Sequence, residues 1–153
     1  MANTYVKVQI QIVFGVKFRE GLIHSSWEDE LFKYMTGIIE KRGHKLLAIN
    51  GMPDHVHVFI GYRPTEGLSD LIRELKKSST EFIKEKKFVR GKFQWQEGYG
   101  AFSYHEDQVK MIANYVMNQK EHHKKVTFKD EYLNFLKEYN VGYNPDYLFE
   151  DPI

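Results

Sequence analysis

The spacing of hydrophobic residues changes along the chain, and each spacing predicts a secondary-structure element. Residues 5–14 alternate apolar and polar side chains, which is typical of a strand with one buried face. Residues 44–49 and 55–62 predict two more strands, joined as a hairpin through the Asn-Gly pair at 50–51. The aromatic and glycine-rich segment 91–104 predicts a loop followed by a fourth strand.

Apolar residues at helical spacing predict four helices. These lie between the serine pair at 25–26 and the Arg-Gly pair at 42–43, over 67–87, over 107–122, and over 127–138, where Thr127 begins a capping box. The element order matches the ferredoxin-like βαββαβ arrangement. We therefore predict an α+β protein with an antiparallel sheet, helices on one face of that sheet, and additional C-terminal helices. The other sheet face stays free in this arrangement, and we look for function there.

Composition narrows the class of protein. A chain of 153 residues favours one domain over 1–153, with a core at about 5–125 and a C-terminal helix and tail at 126–153. Cysteine is absent, so disulfides and thiolate metal sites are excluded. No apolar run approaches the roughly 20 residues of a membrane span. The N-terminus also lacks the layout of a signal peptide, so we expect a cytoplasmic protein without a membrane partner.

Charge is balanced overall and uneven locally. The net charge is +1, yet residues 71–92 carry eight Lys or Arg against three Glu. Such a stripe can face phosphates while the rest of the surface stays neutral. A solvated helix face with i,i+4 ion pairs explains the same charges.

Two histidines, His55 and His57, stand one residue apart at the start of the third predicted strand. Strand side chains alternate, so both rings point to one face with Phe59, while Val56 and Val58 point to the helix-covered core. Two imidazoles placed in this way can bind one metal ion and leave its coordination shell open. The alternative is that both rings lie on a solvated face without a function, and a third ligand would decide between the two.

A third metal ligand would have to come from another part of the chain. The neighbouring His122 and His123 would point about 100° apart on a helix, so they do not chelate as a pair. Tyr115 and Gln119 lie at i and i+4 on the predicted third helix and therefore share a face. A tyrosine at this place either borders the core or, one turn from a ligating amide, takes part in chemistry.

These motifs together resemble a known family. The segment Met-Pro-Asp-His-Val-His on a strand, a basic helix, Gly-Tyr-Gly with a serine, and Tyr-x-x-x-Gln on a helix resemble the single-tyrosine HUH transposases of the smallest bacterial insertion sequences. Their relatives associated with repetitive extragenic palindromes are similar too. The resemblance covers about residues 5–125.

The resemblance implies a site and a reaction. His55, His57 and Gln119 would bind a divalent metal ion, Mg²⁺ or Mn²⁺. Tyr115, on a C-terminal helix, would attack a phosphodiester of DNA, leaving a 5′-phosphotyrosine link and a free 3′-OH. The protein would act in DNA transposition as a homodimer, at the nucleoid of a bacterial cytoplasm.

The expected substrate is single-stranded DNA or a DNA hairpin, which requires phosphate contacts and base stacking. Basic residues of the second helix and of the segment after the third are the phosphate candidates. They are Arg73, Lys76, Lys77, Lys84, Lys120, Lys124 and Lys125. Aromatic residues of the fourth-strand region are the stacking candidates. They are Trp95, Tyr99, Phe102 and Tyr104.

Three alternatives remain open on sequence. An RNA- or single-stranded-DNA-binding module of the same fold would use aromatic residues on the open sheet face. A histidine phosphoesterase needs a third alternating histidine, where this chain has Phe59, or a second His-x-Thr/Ser, which His24 fits loosely. A domesticated DNA-binding relative would keep the motifs without transposition.

Overall fold

The computed structural model describes residues 4–148, without the side chain of Tyr147. Residues 1–3 and 149–153 of the predicted domain lie outside this part of the chain. The strands within it are β1 Gln9–Gly15, β2 Lys45–Met52, β3 His55–Gly61 and β4 Gly100–Tyr104. The helices are α1 Glu28–Lys41, α2 Leu68–Lys86, α3 Val109–Met117, α4 Gln119–His122, α5 Phe128–Glu138 and α6 Pro145–Leu148. Short 3₁₀ turns occupy Lys17–Arg19 and Glu106–Gln108.

The four described strands form one antiparallel sheet in the order β2-β3-β1-β4. The chain order strand, helix, strand, strand, helix, strand therefore confirms the predicted βαββαβ arrangement. Strand β3 lies inside the sheet, where His57 pairs with Val13 of β1 and with Asn50 of β2. A strand held on both sides is a rigid support for the two histidines.

One face of the sheet forms the main hydrophobic core. Ile12 and Phe14 from β1 and Val56, Val58 and Ile60 from β3 are buried there, as their alternation predicts. Helices α1 and α2 cover this face with apolar residues at helical spacing. They are Leu31, Met35 and Ile39 of α1 and Leu71, Leu75 and Ile83 of α2.

The opposite face is also covered, so it is not the free surface expected for the βαββαβ unit alone. Its strands present apolar side chains, Val13, Phe59 and Phe102, that need to be removed from water. Helix α3 packs on this face through Ile112 and Val116, and α5 packs on it through Phe128, Phe135 and Leu136. The C-terminal helices therefore form a second layer over the face that carries His55 and His57.

The prediction of one continuous helix over 107–122 is wrong. A 3₁₀ turn precedes α3, and the helix breaks at Asn118, whose φ of −97° and ψ of 19° are not helical. The physical reason lies in β2: Asn50 Nδ2 donates a hydrogen bond of 3.0 Å to the Met117 carbonyl, which a continuous helix would bond internally. Thr127 caps α5 as predicted, accepting a hydrogen bond from the Asp130 backbone N–H at 3.2 Å.

The close approach of β2 and β3 depends on Gly51. A Cβ at this position would overlap the backbone carbonyl oxygen of His55 and lie 3.2 Å from the Cα of Val56. We expect Gly51→Ala to lower the free energy of unfolding by about 1–3 kcal/mol, because crowding in a packed site forces the strands apart. Urea denaturation with a fixed m-value measures this change.

Gly37 provides the control for that substitution. It lies in the middle of α1, and a Cβ added there would meet nothing within 4 Å. Gly37→Ala should raise the free energy of unfolding by about 0.5–1 kcal/mol, because glycine costs helix stability. Equal effects of the two substitutions would contradict the assignment of Gly51 as a close-contact position.

Candidate active site

The two histidines of β3 point away from the main core and toward α5. Both side chains are fully buried, at 0% exposure, and their ring centroids lie 5.1 Å apart. The ring of Phe128 from α5 stacks on the His55 ring at 4.0 Å. The alternative in which both rings lie on a solvated face is therefore wrong.

Each histidine is held by its Nδ1 atom. His55 Nδ1 lies 2.7 Å from the carboxylate of Asp54, and His57 Nδ1 lies 2.7 Å from Gln11 Oε1. Both partner oxygens only accept hydrogen bonds, so Nδ1 carries the proton in each ring. This arrangement, common around metal-binding histidines, leaves the Nε2 lone pair of each ring for a ligand.

Glu131 of α5 lies at the centre of the site, and sequence reasoning missed it. Its side chain is 3% exposed. One oxygen, Oε1, lies 3.0 Å from His57 Nε2, 3.1 Å from His123 Nε2 and 3.6 Å from His55 Nε2. The other oxygen, Oε2, accepts hydrogen bonds from the Tyr115 hydroxyl and from Gln119 Nε2, the latter at 3.2 Å.

Tyr115 and Gln119 meet at this carboxylate although the helix between them is broken. Tyr115 belongs to α3 and Gln119 to α4, and the ring centroid of Tyr115 lies 6.1 Å from that of His57. The four residues singled out on sequence, His55, His57, Tyr115 and Gln119, thus converge on Glu131.

The charges of the site follow from burial and from Glu131. Burial lowers the pKa of His57 to about 4. For Glu131, burial alone would raise the pKa, but the surrounding His123, His55 and His57 outweigh it and hold the pKa well below its usual range. Burial and the adjacent Glu131 charge raise the pKa of Tyr115, so its phenol is protonated at neutral pH.

A divalent metal ion fits these residues. His55 Nε2 and Gln119 Oε1 are buried and have no hydrogen-bond partner among residues 4–148. Buried polar atoms are normally paired, so two unpaired atoms in one site indicate a further ligand. Both belong to the ligand set that the sequence predicts, and imidazole and amide oxygen are ordinary donors to divalent metals.

A cavity of about 220 Å³ opens beside the tyrosine. Tyr104, Met111, Phe135, Tyr115 and Glu131 are among the residues that line it. His55 and His57 do not line this cavity and are fully buried, so Tyr115 is more accessible than the histidine pair.

Two of the predicted phosphate contacts, Lys76 and Lys120, bond to other elements of the fold, whereas Arg73 and Lys124 pair with the nearby Asp70 and Glu121 in solvent. Lys76 donates to the carbonyl oxygens of Gln96 at 2.7 Å and Gly98 at 2.6 Å, and burial lowers its pKa to about 8. Lys120 lies 2.8 Å from the carboxylate of Glu28. The side chains of Arg73, Lys77, Lys84, Lys124 and Lys125 are exposed.

Of the four predicted stacking residues, two are buried in the protein and two are partly exposed. Trp95 is buried in the main core and donates to Ser79 Oγ at 2.9 Å. Phe102 is buried against Phe135 with ring centroids 4.8 Å apart. Tyr104 is half-buried at the cavity, and Tyr99 is 38% exposed.

Solved structures share this fold. A candidate transposase from Deinococcus radiodurans R1 matches with a TM-score of 0.62 and 24% identity, over 78% of this chain and 96% of that one. A REP-associated tyrosine transposase bound to a REP hairpin matches with a TM-score of 0.60 and 16% identity, over 82% of this chain and 74% of that one.

Sequence comparison defines the family. The curated ISDra2 transposase TnpA of Deinococcus radiodurans is 22% identical over 118 residues, which cover 74% of this chain and 84% of the relative. The family model for IS200-like transposases matches residues 4–119. The chain belongs to the IS200-like transposase family, as its motifs predicted. Among residues 4–148, no helix is long and apolar enough to cross a membrane.

The sequence gives only weak indications that Glu131 and His123 belong to the site. Glu131 lies at i+3 from Phe128 and i−4 from Phe135, so it is a carboxylate on the apolar face of a helix, where a charge needs a partner. His123 is adjacent to His122, and the two cannot chelate one metal ion as neighbours on a helix, but this limit does not apply to His123 alone. Neither residue could be linked to the histidine pair before the fold was known.

Lys120 and Lys124 allow a matched comparison of how a lysine contributes to the free energy of unfolding. Lys120 bonds the buried carboxylate of Glu28 and lies 3.3 Å from both Asn50 Oδ1 and the Gly51 carbonyl, whereas Lys124 pairs with Glu121 in solvent. We expect Lys120→Met to lower the free energy of unfolding by about 1–2 kcal/mol, because Glu28 loses its cation. Lys124→Met should change it by less than about 0.5 kcal/mol. Thermal and urea unfolding of both variants test this, and equal losses would refute a structural role for Lys120.

Proposed function

We propose that the protein is a metal-dependent single-tyrosine transposase that cuts and rejoins single-stranded DNA. The observation that carries this proposal is the convergence of Tyr115 with His55 and His57 on one carboxylate. The Glu131 carboxylate contacts both the tyrosine hydroxyl and the Nε2 side of the histidines. It therefore occupies the place that a scissile phosphate would take.

His55, His57 and Gln119 would hold a divalent ion, Mg²⁺ or Mn²⁺. When bound, the ion supplies Lewis-acid stabilisation of the negative charge that develops on the phosphate oxygens. Asp54 and Gln11 contribute by fixing the two imidazole rings, so that the Nε2 lone pairs need no reorganisation when the ion binds.

Tyr115 is the nucleophile in this proposal. Its Oη forms a bond to phosphorus, the phenol proton passes to a water molecule, the bond from phosphorus to the 3′ oxygen breaks, and that oxygen takes up a proton from water. The products are a 5′-phosphotyrosine link and a free 3′-OH. The link is a phosphodiester, so a 3′-OH of another end can attack it and rejoin the strand without ATP.

The substrate in this proposal is single-stranded DNA or the flank of a DNA hairpin. The hairpin bound by the REP-associated relative supports this substrate class. The cavity beside Tyr115 is the route by which a strand reaches the nucleophile, and α5 must rearrange before a phosphate can reach the buried histidines. We also propose that the protein works as a homodimer, at the nucleoid in the cytoplasm, in the movement of a mobile element.

The alternatives have less support. An RNA-recognition module binds through an open sheet face, whereas this face carries α3 and α5. A histidine phosphoesterase would need a further histidine on β3, and Phe59 at that position is buried against α3. A domesticated relative without turnover is distinguished by the following experiment.

Replacing the Tyr115 hydroxyl tests the nucleophile. Incubation of the parent with single-stranded hairpin DNA and Mn²⁺ should leave a covalent protein–DNA adduct that survives denaturing electrophoresis. Tyr115→Phe should abolish the adduct and keep DNA affinity within about twofold, because the ring and its packing remain.

Tyr34→Phe is the control, since Tyr34 stacks on Phe82 among α1 and α2, remote from the histidines. It should form adduct like the parent. Cleavage by Tyr115→Phe at the parent's rate would assign the attack to a water molecule instead. Absence of any adduct from the parent would favour a domesticated DNA-binding role.

The exposed cations of α2 should set the salt dependence of DNA binding. Each lost phosphate contact should reduce the slope of log affinity against log salt by about 0.7 on single-stranded DNA. We expect Arg73→Gln and Lys77→Gln each to show this reduction in fluorescence-anisotropy titrations. Lys33→Gln, which removes an exposed cation from α1, is the charge-matched control, and an equal slope change there would indicate non-local attraction only.

A further inference from the structure

We propose that, before DNA binds, His123 and Glu131 are ligands of the ion together with His55 and His57, and that this nitrogen-rich set selects a divalent transition metal over Mg²⁺. The inference rests on the metal-dependent function proposed above. It extends the ligand set beyond the residues that sequence motifs identify.

Each of the three imidazole rings has a hydrogen-bond acceptor on its outer side. His123 Nδ1 lies 2.6 Å from the carbonyl oxygen of Val126, so it has an acceptor in the same way as His55 and His57. A carbonyl, a carboxylate and an amide oxygen all require a donor, so Nδ1 carries a proton in each of the three rings.

The inner sides of the three rings then present lone pairs rather than donors. Their Nε2 atoms lie 3.0, 3.1 and 3.6 Å from Glu131 Oε1, which is itself an acceptor. Three lone pairs facing a buried carboxylate oxygen repel one another unless a cation lies among them. Ligand atoms of all four residues lie within 4.8 Å of one another, which suits metal–ligand bonds of about 2.0–2.2 Å.

The adjacent His122 has a different environment. Its Nε2 lies 3.2 Å from Glu131 Oε2 and 3.3 Å from the Tyr115 hydroxyl, on the nucleophile side of the carboxylate. Its side chain is 28% exposed, against 6% for His123. Of two neighbouring histidines, one therefore faces the ion and the other faces the tyrosine.

The two oxygens of Glu131 connect the ion to the nucleophile. Oε1 faces the three imidazoles, and Oε2 accepts the hydrogen bond of Tyr115. An ion bound at Oε1 fixes the carboxylate, and through it the tyrosine hydroxyl and the docking of α5 on the sheet. Loading with metal should therefore stabilise α5 as well as the site.

The donor set determines the class of metal. Mg²⁺ prefers oxygen ligands and keeps much of its water, whereas imidazoles favour transition metals. Three imidazoles and one carboxylate, beside the Gln119 amide oxygen, should bind Mn²⁺ more tightly than Mg²⁺, and Co²⁺ and Zn²⁺ more tightly still, in the usual affinity order of divalent ions.

Metal titration of the intact protein tests the ligand set without DNA. Free Mn²⁺ is measured by electron paramagnetic resonance, and Mg²⁺ by competition against bound Mn²⁺. We expect His123→Ala and Glu131→Gln each to weaken Mn²⁺ binding by about tenfold or more, the scale of losing a metal-site interaction. His122→Ala, the adjacent control, should stay within about threefold, and Mn²⁺ should bind at least about tenfold more tightly than Mg²⁺.

The outcomes separate this inference from the proposed function. If His55→Ala loses Mn²⁺ while His123→Ala and Glu131→Gln bind it like the parent, the extended ligand set is wrong and the proposed function stands. If the parent binds neither ion, both are wrong. Equal affinity for Mn²⁺ and Mg²⁺ would overturn the transition-metal selectivity.

A measurement on the unmodified protein tests Glu131 as a ligand even if the variants fail to fold. Backbone amides of α5 should exchange with deuterium more slowly when Mn²⁺ is present, because Glu131 ties the helix to the ion. Amides of α1, which packs on the opposite sheet face, are the internal control. Unchanged exchange in α5 at saturating Mn²⁺ would rule out Glu131 as a ligand.

Discussion

The buried carboxylate of Glu131 is the interaction on which the arrangement of this site depends. A carboxylate removed from water is costly unless charges and hydrogen bonds compensate it. Oε2 of Glu131 accepts hydrogen bonds from Tyr115 and Gln119, and the imidazoles of His57 and His123 lie beside Oε1. Helices α3, α4 and α5 therefore meet at this one carboxylate.

The two faces of the sheet have different roles. The face toward α1 and α2 is a conventional apolar core, and it holds β3 straight and fixed between β1 and β2. The opposite face combines apolar packing with the histidine pair, so the second helical layer both completes the core and encloses the candidate site. This layer is the reason that both histidine side chains are fully buried.

The sequence predicted those features that depend on local pattern. Period-two alternation in β1 and β3 identified the strands and the shared face of His55 and His57, and ordered motifs identified Tyr115 and the family. Glu131 could not be predicted, because its partner His57 is 74 residues away and the contact exists only after α5 folds back over the sheet. The helix break at Asn118 could not be predicted for the same reason. It involves a hydrogen bond from Asn50 of β2 to the Met117 carbonyl, and this contact exists only in the folded protein.

In the proposed reaction, the histidine pair and the tyrosine act on one metal-bound phosphate. Anomalous diffraction from crystals of the protein soaked in MnCl₂ tests this arrangement. We expect one strong anomalous peak about 2.0–2.3 Å from the Nε2 atoms of His55 and His57, on the side that faces Tyr115. A peak elsewhere in the molecule, with the histidine pair free of metal at saturating Mn²⁺, would contradict it.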